Sequence, residues 1–484
     1  MGTSAAVTAV GVNLAGYLDA TLGVAEAARQ VRGALHVAGV GVASLPVSSQ
    51  GAPAPPGPHP APHPVTLVCV NPDGLPGVRD ELGPEPFEDR HVIGMWWWEL
   101  GTFPAAWARG FDGIDEVWAG SRFVADAIAA VSPVPVVRVP LPVAPPPVAP
   151  VGREDLGLPA EGWLAGLAFD YGSVAARKNP LGAIEAFTRA FGPGDGAALV
   201  VKTLRSELDP AAHRAVLEAA ASHQHVHVLD RDLPAAEKNA LIGLLDCLLS
   251  VHRSEGFGLA LAEAALLGVP VVATDYGGTR DFLTPFNAWL VDHRPVRIGP
   301  GHDPYPPDGE WAEPDLDHAA SLLRSVREHP EEAARRARRA RADVARAHDP
   351  AAAGRAMAER IARVLRAPVA RAATPVDALD LSAARARVRG GPGPAAPGTA
   401  GPREALRAAV LRVLAPYAVH QRLVDEEILR LLETLDERVR GLAAGQASLA
   451  AEVARLRRDV GEGPQRAGAR GRRRGGSGSQ EEGV

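Results

Sequence analysis

Apolar residues along the first 140 positions fall into short runs separated by longer, helix-spaced stretches. The runs Ala5–Val12, Val65–Val70, His91–Met95 and Glu116–Ala119 read as strands. Gly23–Val37 reads as a helix, with its Ala and Leu residues on one face. Residues 51–64, GAPAPPGPHPAPHP, form a loop, because a proline ring removes the N–H that a sheet or helix would use. A second Pro-rich stretch, PVPVVRVPLPVAPPPVAP at 133–150, reads as an interdomain hinge.

After the hinge the alternation restarts. Strands fit Trp163–Phe169, Ala197–Lys202, His225–Leu229, Cys247–His252 and Val269–Thr274. Helices fit Pro180–Phe191, Pro210–Ala221, Pro234–Leu245 and Gly258–Leu267. Strand–helix alternation predicts parallel sheets covered by helices. Two such units on one linker predict a cleft lined by the carboxyl ends of both sets of strands. The expected division is a first α/β domain over 1–140, a hinge over 141–152 and a second α/β domain over 153–366.

Residues 367–403 are rich in Ala, Pro and Gly and read as a disordered linker. A helical pattern returns over 404–460. From Ile428 a regular 4-3 spacing runs through Leu432, Leu435, Val439, Leu442, Gln446, Leu449, Val453, Leu456 and Val460. With Ile428 at d, every later d residue is Leu, and Val predominates at a with one polar Gln446. That pattern favours a parallel two-stranded coiled coil, and hence a homodimer through 428–460. The alternative is a helix packed on the protein's own body. Residues 461–484 read as a disordered tail, basic and then acidic.

Composition narrows the class. The chain has 484 residues, 46% of them hydrophobic, with a net charge of -6. That length suits two or three domains, and that charge gives no support for nucleic acid as a partner. Cys69 and Cys247 lie in apolar runs, so buried free thiols are expected, with no disulfide framework and no zinc spacing. No signal-peptide pattern and no run of membrane-span length occurs, and a cytoplasmic location is the expectation. Of 51 basic residues only three are lysine: Lys178, Lys202 and Lys238. In a chain that otherwise uses Arg, those positions call for a compact ammonium.

The chemistry concentrates in SVHRSEGFGLALAEAALLGVPVVATDYGGTRDF, 250–282. A strand ends at His252, a loop holds Glu255, Gly256, Phe257 and Gly258, and a helix begins at Leu259. The glycines allow close backbone approach, and free N–H groups at a helix N-terminus suit a phosphate. Glu255 and Glu263 would repel a diphosphate, so sugar and ribose hydroxyls are their natural partners. Arg177, Lys178 and Lys202, at strand ends facing the cleft, supply positive charge for the phosphates. His91 and His252 read as structural.

The pair Glu255-x7-Glu263 within SEGFGLALAEA, followed by GVPVVATDYGG, resembles the donor-site motif of retaining family 4 glycosyltransferases of GT-B fold. FDYGSVAARKNPLGAIEAFTRAF (169–191), GMWWWELGTFPAAW (94–107), DEVWAGSRFV (115–124) and GVNLAGYLDATLGVAEAAR (11–29) resemble a bacterial envelope-polysaccharide branch of that family. The resemblance spans roughly residues 8 to 350. It implies a GT-B fold, two Rossmann-like domains facing a cleft, followed here by the C-terminal α-helical coiled coil.

By this resemblance Glu255 contacts the transferred sugar and Glu263 the ribose hydroxyls. Amides of Phe257, Gly258 and Leu259, beside Gly256, hold the sugar and diphosphate. Lys178, with Arg177, neutralises the leaving diphosphate. The family usually carries Arg where this chain has Ser173, so the first basic role falls to either Ser173 or Arg177. Asp230 and Leu233 lie near the base.

The first domain is expected to bind the acceptor. Of Trp96, Trp97 and Trp98 at most two face the cleft, since strand side chains alternate, with Trp98 the candidate sugar platform and core packing the alternative for each. Glu99 can orient an acceptor hydroxyl, and the loop from Gly16 to Gly23 can approach donor or acceptor.

The implied reaction moves a hexose from a nucleoside diphosphate sugar to a glycan or lipid-linked acceptor, with retention. It needs no metal and no cofactor beyond the sugar nucleotide, because cationic side chains take that part. The Asp230-Arg231-Asp232 and Asp315-Leu316-Asp317 matches are weak metal signals. Peripheral association with the inner face of the plasma membrane stays open. Two other readings remain: a sugar-nucleotide epimerase, and a non-catalytic sugar-binding protein working through its coiled coil.

Overall fold

The computed structural model of the protein describes residues 11–20, 22–49 and 59–366. The linker, the coiled-coil heptads, the tail, most of the predicted strand Ala5–Val12 and part of the first Pro-rich loop lie outside the described residues.

Two six-stranded parallel sheets carry the structure. The first comprises β1 (Gly11–Gly16), β2 (Gly41–Pro46), β3 (Val65–Cys69), β4 (His91–Trp96), β5 (Glu116–Ala119) and β6 (Val136–Arg138), in the order β2-β1-β3-β4-β5-β6. Its helices are α1 (Gly23–Val37), α2 (Leu75–Leu82) and α3 (Arg122–Ala129). The second comprises β7 (Trp163–Ala168), β8 (Ala197–Thr203), β9 (Val226–Asp230), β10 (Cys247–Ser250), β11 (Val271–Thr274) and β12 (Trp289–Val291). Its order, β12-β11-β10-β7-β8-β9, is that of a dinucleotide-binding sheet. Between these strands run α4 (Ala175–Lys178), α5 (Pro180–Ala190), α6 (Pro210–Ala221), α7 (Ala235–Gly243) and α8 (Leu259–Leu267). An antiparallel hairpin, β13 (His293–Arg297) and β14 (Glu310–Pro314), follows. Then come α9 (Leu316–Glu328), α10 (Pro330–Ala347) and α11 (Pro350–Arg366).

Central strands are buried on both faces, which is why they read as unbroken apolar runs: every residue of β1 and of β8 is buried. The strands that the sequence pattern missed are edge or peripheral ones. β2 is exposed at its start and ends on Pro46. β6 lies inside the Pro-rich 133–150 stretch, flanked by Pro135 and Pro140, as an edge position permits. That stretch is therefore partly sheet.

The chain from 141 to 149 is pinned from both sides. Ala144 N–H donates to Gln30 Oε1 at 3.0 Å, and Asn239 Nδ2 donates to the Pro147 carbonyl at 2.9 Å. The last helix returns to the first sheet: α11 packs on α1, and a Cβ at Gly354 would lie 2.0 Å from the Ala34 carbonyl oxygen. Arg360 of α11 grips buried Glu116 of β5, with Nε at 2.9 and 3.0 Å from its two oxygens. No helix among the described residues is long and apolar enough to cross a membrane.

Candidate active site

Loops at the carboxyl ends of β4, β5, β7 and β10 meet between the sheets. The β7 loop is shaped by unusual backbone. Val174 has φ 61°, a left-handed value that a β-branched side chain rarely adopts. Asn179 also lies in the left-handed region (φ 55°); its side chain caps α5 at Gly182 and donates to the Val251 carbonyl at 2.9 Å. Between these two kinks the single turn α4 aims Arg177 and Lys178 at the β10 loop.

There they meet Glu255, only 7% exposed. Lys178 Nζ donates to Glu255 Oε1, and Arg177 Nη1 lies 3.4 Å from Oε2. Arg177 Nη1 also donates to the Ser254 carbonyl at 2.8 Å, and its Nε to the Ser173 carbonyl at 3.2 Å. Burial pushes the Glu255 carboxyl up, but Lys178 and Arg177 together outweigh it and hold the pKa at about 2. Burial pulls the Lys178 ammonium below the ordinary lysine range, against the pull of Glu255. The site thus holds an ionised carboxylate and two cations out of water.

Glu99, expected at the end of β4, joins this group, with Oε1 3.9 Å from Arg177 Nη2. Its other oxygen accepts from the Tyr305 hydroxyl at 3.0 Å. Tyr305 was not foreseen. It belongs to the connection between β13 and β14, which reaches from the second domain onto the first. Its ring packs against Trp98 with centroids 5.4 Å apart, and Trp311 follows at 6.3 Å. Ile298, Tyr305 and Trp311 share one hydrophobic cluster with Trp96 and Trp98. This corrects the expectation for Trp98. Its ring is fully buried and its indole N–H donates to the Thr102 carbonyl at 2.7 Å, so it offers no open face to a sugar. Trp96 and Trp97 are also buried.

The glycines of the β10 loop are needed for domain contact. The Gly256 carbonyl accepts from Ser121 Oγ of the first domain at 2.5 Å, and a Cβ at Gly256 would lie 2.8 Å from the Trp98 carbonyl oxygen. Gly278 faces the same loop, where a Cβ would fall 1.8 Å from the Gly256 oxygen. Ser254 Oγ donates to the Glu99 carbonyl. Asp281 accepts from the Arg122 N–H at 2.8 Å and pairs with Arg138 at 3.0 Å, closing the contact below. Gly258, at φ 87°, turns the chain into α8, whose first amides point out of the helix. The Phe257 side chain lies in the core against Phe282 and His348, with centroids at 5.3 and 5.0 Å. Leu259 begins α8 and is half-buried.

Glu263 is the one charged residue of the otherwise apolar α8, 6% exposed, and pairs with Lys238 of α7 at 2.6 Å. Lys202 is buried at the end of β8 and donates to the Thr203 carbonyl at 2.5 Å, without touching Glu255. Asp230 accepts from Thr203 at 2.7 Å and Ser206 at 2.6 Å, which lowers its pKa despite partial burial. Leu233 packs in the core with Leu241 and Leu245. Gly16 ends β1, where its carbonyl accepts from Leu18 and Val47, and Gly23 starts α1. Neither glycine hydrogen-bonds to the Glu255 group among the described residues. His252 lies buried between Ser250 Oγ at 3.0 Å and the Tyr276 carbonyl at 3.2 Å, a structural role. Of the Asp-x-Asp matches, Asp315 caps α9 and Asp317 pairs with Arg189 at 2.8 Å.

Residues 167–296 match the family model described as "Glycosyl transferases group 1". That segment holds Arg177, Lys178, Lys202, Lys238, Glu255 and Glu263. Among solved structures, the chain is similar to Anabaena Alr3699/HepE, solved with UDP and glucose (14% identity, 73% of this chain and 100% of that one, TM-score 0.55). It is also similar to sucrose-phosphate synthase from Thermosynechococcus elongatus (15% identity, 74% and 99%, TM-score 0.56). A glycosyltransferase from Rickettsia africae matches with 13% identity over 75% and 100% of the two chains, at TM-score 0.53. No curated protein matches the chain in sequence. The fold is GT-B, and the segment carrying Glu255 and Lys178 is the one similar to group 1 glycosyl transferases.

Proposed function

We propose that the protein is a glycosyltransferase that moves a hexose from a nucleoside diphosphate sugar to a glycan or lipid-linked acceptor, with retention and without a metal. The observation that carries the reading is Glu255, held ionised in a buried loop by Lys178 and Arg177 beside the N-terminus of α8. That arrangement offers two chemistries at one place: a carboxylate for sugar hydroxyls, and cations with helix amides for a diphosphate. In the reaction the bond from the anomeric carbon to the diphosphate oxygen breaks, and its electron pair leaves with the diphosphate. Lys178, Arg177 and the α8 amides stabilise that developing charge. The acceptor oxygen bonds the same face of the sugar, and its proton passes to the departing diphosphate oxygen. Arg177, whose guanidinium already reaches Glu255, takes the basic role left by Ser173. Glu99, anchored by Tyr305, orients the acceptor hydroxyl. Lys202 and Asp230 stand at the nucleotide side.

Calorimetric titration with UDP, GDP and their sugar conjugates tests the reading. Binding of one nucleotide series is expected, and its loss in a Lys178→Ala, Glu263→Ala double variant. A folded protein that binds neither series would sink the donor site; epimerised donor formed without acceptor would replace transfer with epimerisation.

The heptads at 428–460 extend the proposal to a parallel homodimer. Sedimentation should give a dimer for the full chain and a monomer for a Leu435→Glu, Leu442→Glu variant. A monomeric wild type removes this part, and the membrane association of the assembly remains a proposal of the same kind.

A further inference from the structure

Two of the chain's three lysines are ion-paired to the two glutamates of the site: Lys178 to Glu255, and Lys238 to Glu263. The glycosyl-transfer reading uses Lys178 and leaves Lys238 without a task. Its partner is an unusual group. Glu263 lies in the middle of α8, among Leu261, Ala262, Ala264, Ala265 and Leu266, all buried. A carboxylate in such surroundings tends to take up a proton. Here burial does raise its pKa, Lys238 opposes the rise, and Glu26 of α1 adds to it. Glu26 is itself paired with Arg29 at 2.8 Å. The other elements against α8 supply no compensating charge: β10 and β11 carry no charged side chain, and the buried residues of α10 are Ala333, Ala337, Ala340 and Val344.

The choice of lysine matters in a chain with so many arginines. Lys238 Nζ meets one oxygen, Oε2, at 2.6 Å. No other hydrogen-bond donor among the described residues reaches this carboxylate, so Oε1 is open. An arginine fork would take both oxygens. A vicinal diol brings two O–H donors and needs an acceptor-only carboxylate with a free oxygen; a protonated carboxyl would itself be a donor.

We propose that Lys238 is a positioning residue for the donor nucleotide: its ammonium fixes the Glu263 carboxylate as the acceptor for the paired ribose hydroxyls of a nucleoside diphosphate. The inference rests on the donor-site reading above. Lys238 does not touch the transferred sugar, and its effect is read in nucleotide binding.

The test is calorimetric titration of the full chain with UDP and GDP and with their 2′-deoxy analogues, across pH 6 to 8. With the nucleotide that binds, wild type should prefer the ribose form by about tenfold, with little change across that pH range. Lys238→Met should lose about tenfold in affinity for the ribose form, lose the discrimination against the deoxy form, and recover affinity as pH rises. Lys238→Arg should restore the flat pH profile but not the full affinity, because its fork competes for the second oxygen. If wild type binds the nucleotide and Lys238→Met keeps its affinity, discrimination and pH profile, the proposal fails alone. Equal binding of ribose and deoxy forms by wild type also overturns it. If wild type binds no nucleotide, the donor-site reading fails and this inference with it.

Discussion

Replacing Lys178 with alanine should lower kcat for glycosyl transfer by about 10²–10³-fold, the loss of about 2.7–4 kcal/mol that follows removal of one donor aimed at developing charge in a dry site. The donor KM should change much less, since the charge on the diphosphate grows as the bond breaks. Lys178 is positioned for this by its surroundings. It ends a single helical turn between two left-handed residues, Val174 and Asn179, so its ammonium is aimed rather than free. The pH dependence has a stated sign. Glu255 has a depressed pKa of about 2, so the stability it contributes is present above its ordinary value of 4.5 and is lost only as pH falls through about 2. The alkaline limb belongs to Lys178, whose pKa burial pulls below the ordinary lysine value, so activity should fall at lower pH than an exposed lysine would give. Urea unfolding between pH 6 and pH 2 checks the first statement, and initial rates at saturating donor across pH 5 to 10 check the second. A Lys178→Ala enzyme with wild-type kcat removes Lys178 from the mechanism.

Where the sequence sufficed, the physical cause was local. Glu255 and Glu263 stood out because two carboxylates flank a glycine-containing turn into a helix N-terminus, a place that otherwise suits an anion, and both prove to be buried and paired. Central strands were legible because burial on both faces writes continuous apolar runs. Edge strands β2 and β6 were not, since half-exposed backbone with proline carries no periodic signal. Trp98 misled for a related reason. An aromatic at a strand end is the same residue type whether it faces a ligand or a neighbouring element, and what covers it, Tyr305, lies far along the chain in the connection between β13 and β14. Tyr305 lies in a Pro- and Gly-rich connection, GPGHDPYPPDGE, where nothing marks it as reaching another domain. Lys238 was visible as one of three lysines but had no task until its distance to Glu263 was known.

Arg177→Met should destabilise the protein by about 3–5 kcal/mol, the usual result of removing one partner from a buried charge group. This is a large fraction of the roughly 5–15 kcal/mol by which folded proteins are stable. Arg177 is 4% exposed, and it is the group's link between domains: Glu99 on the first, Glu255 on the second, with the Ser254 and Ser173 carbonyls completing its donors. A methionine fills much of the volume but leaves Glu99 and Glu255 facing each other with only Lys178 to oppose them. The deficit should therefore depend on charge more than on packing. Urea unfolding at pH 7 should show the full loss, and adding Glu99→Gln to the variant should recover part of it by removing one uncompensated carboxylate. Lowering the pH should narrow the gap between variant and wild type, because the Glu255 carboxyl of the variant, without Arg177, takes up its proton at higher pH. An unfolding midpoint unchanged by Arg177→Met would mean that the two carboxylates are neutralised by other means, and that the contact between the domains at Glu99 does not depend on this guanidinium.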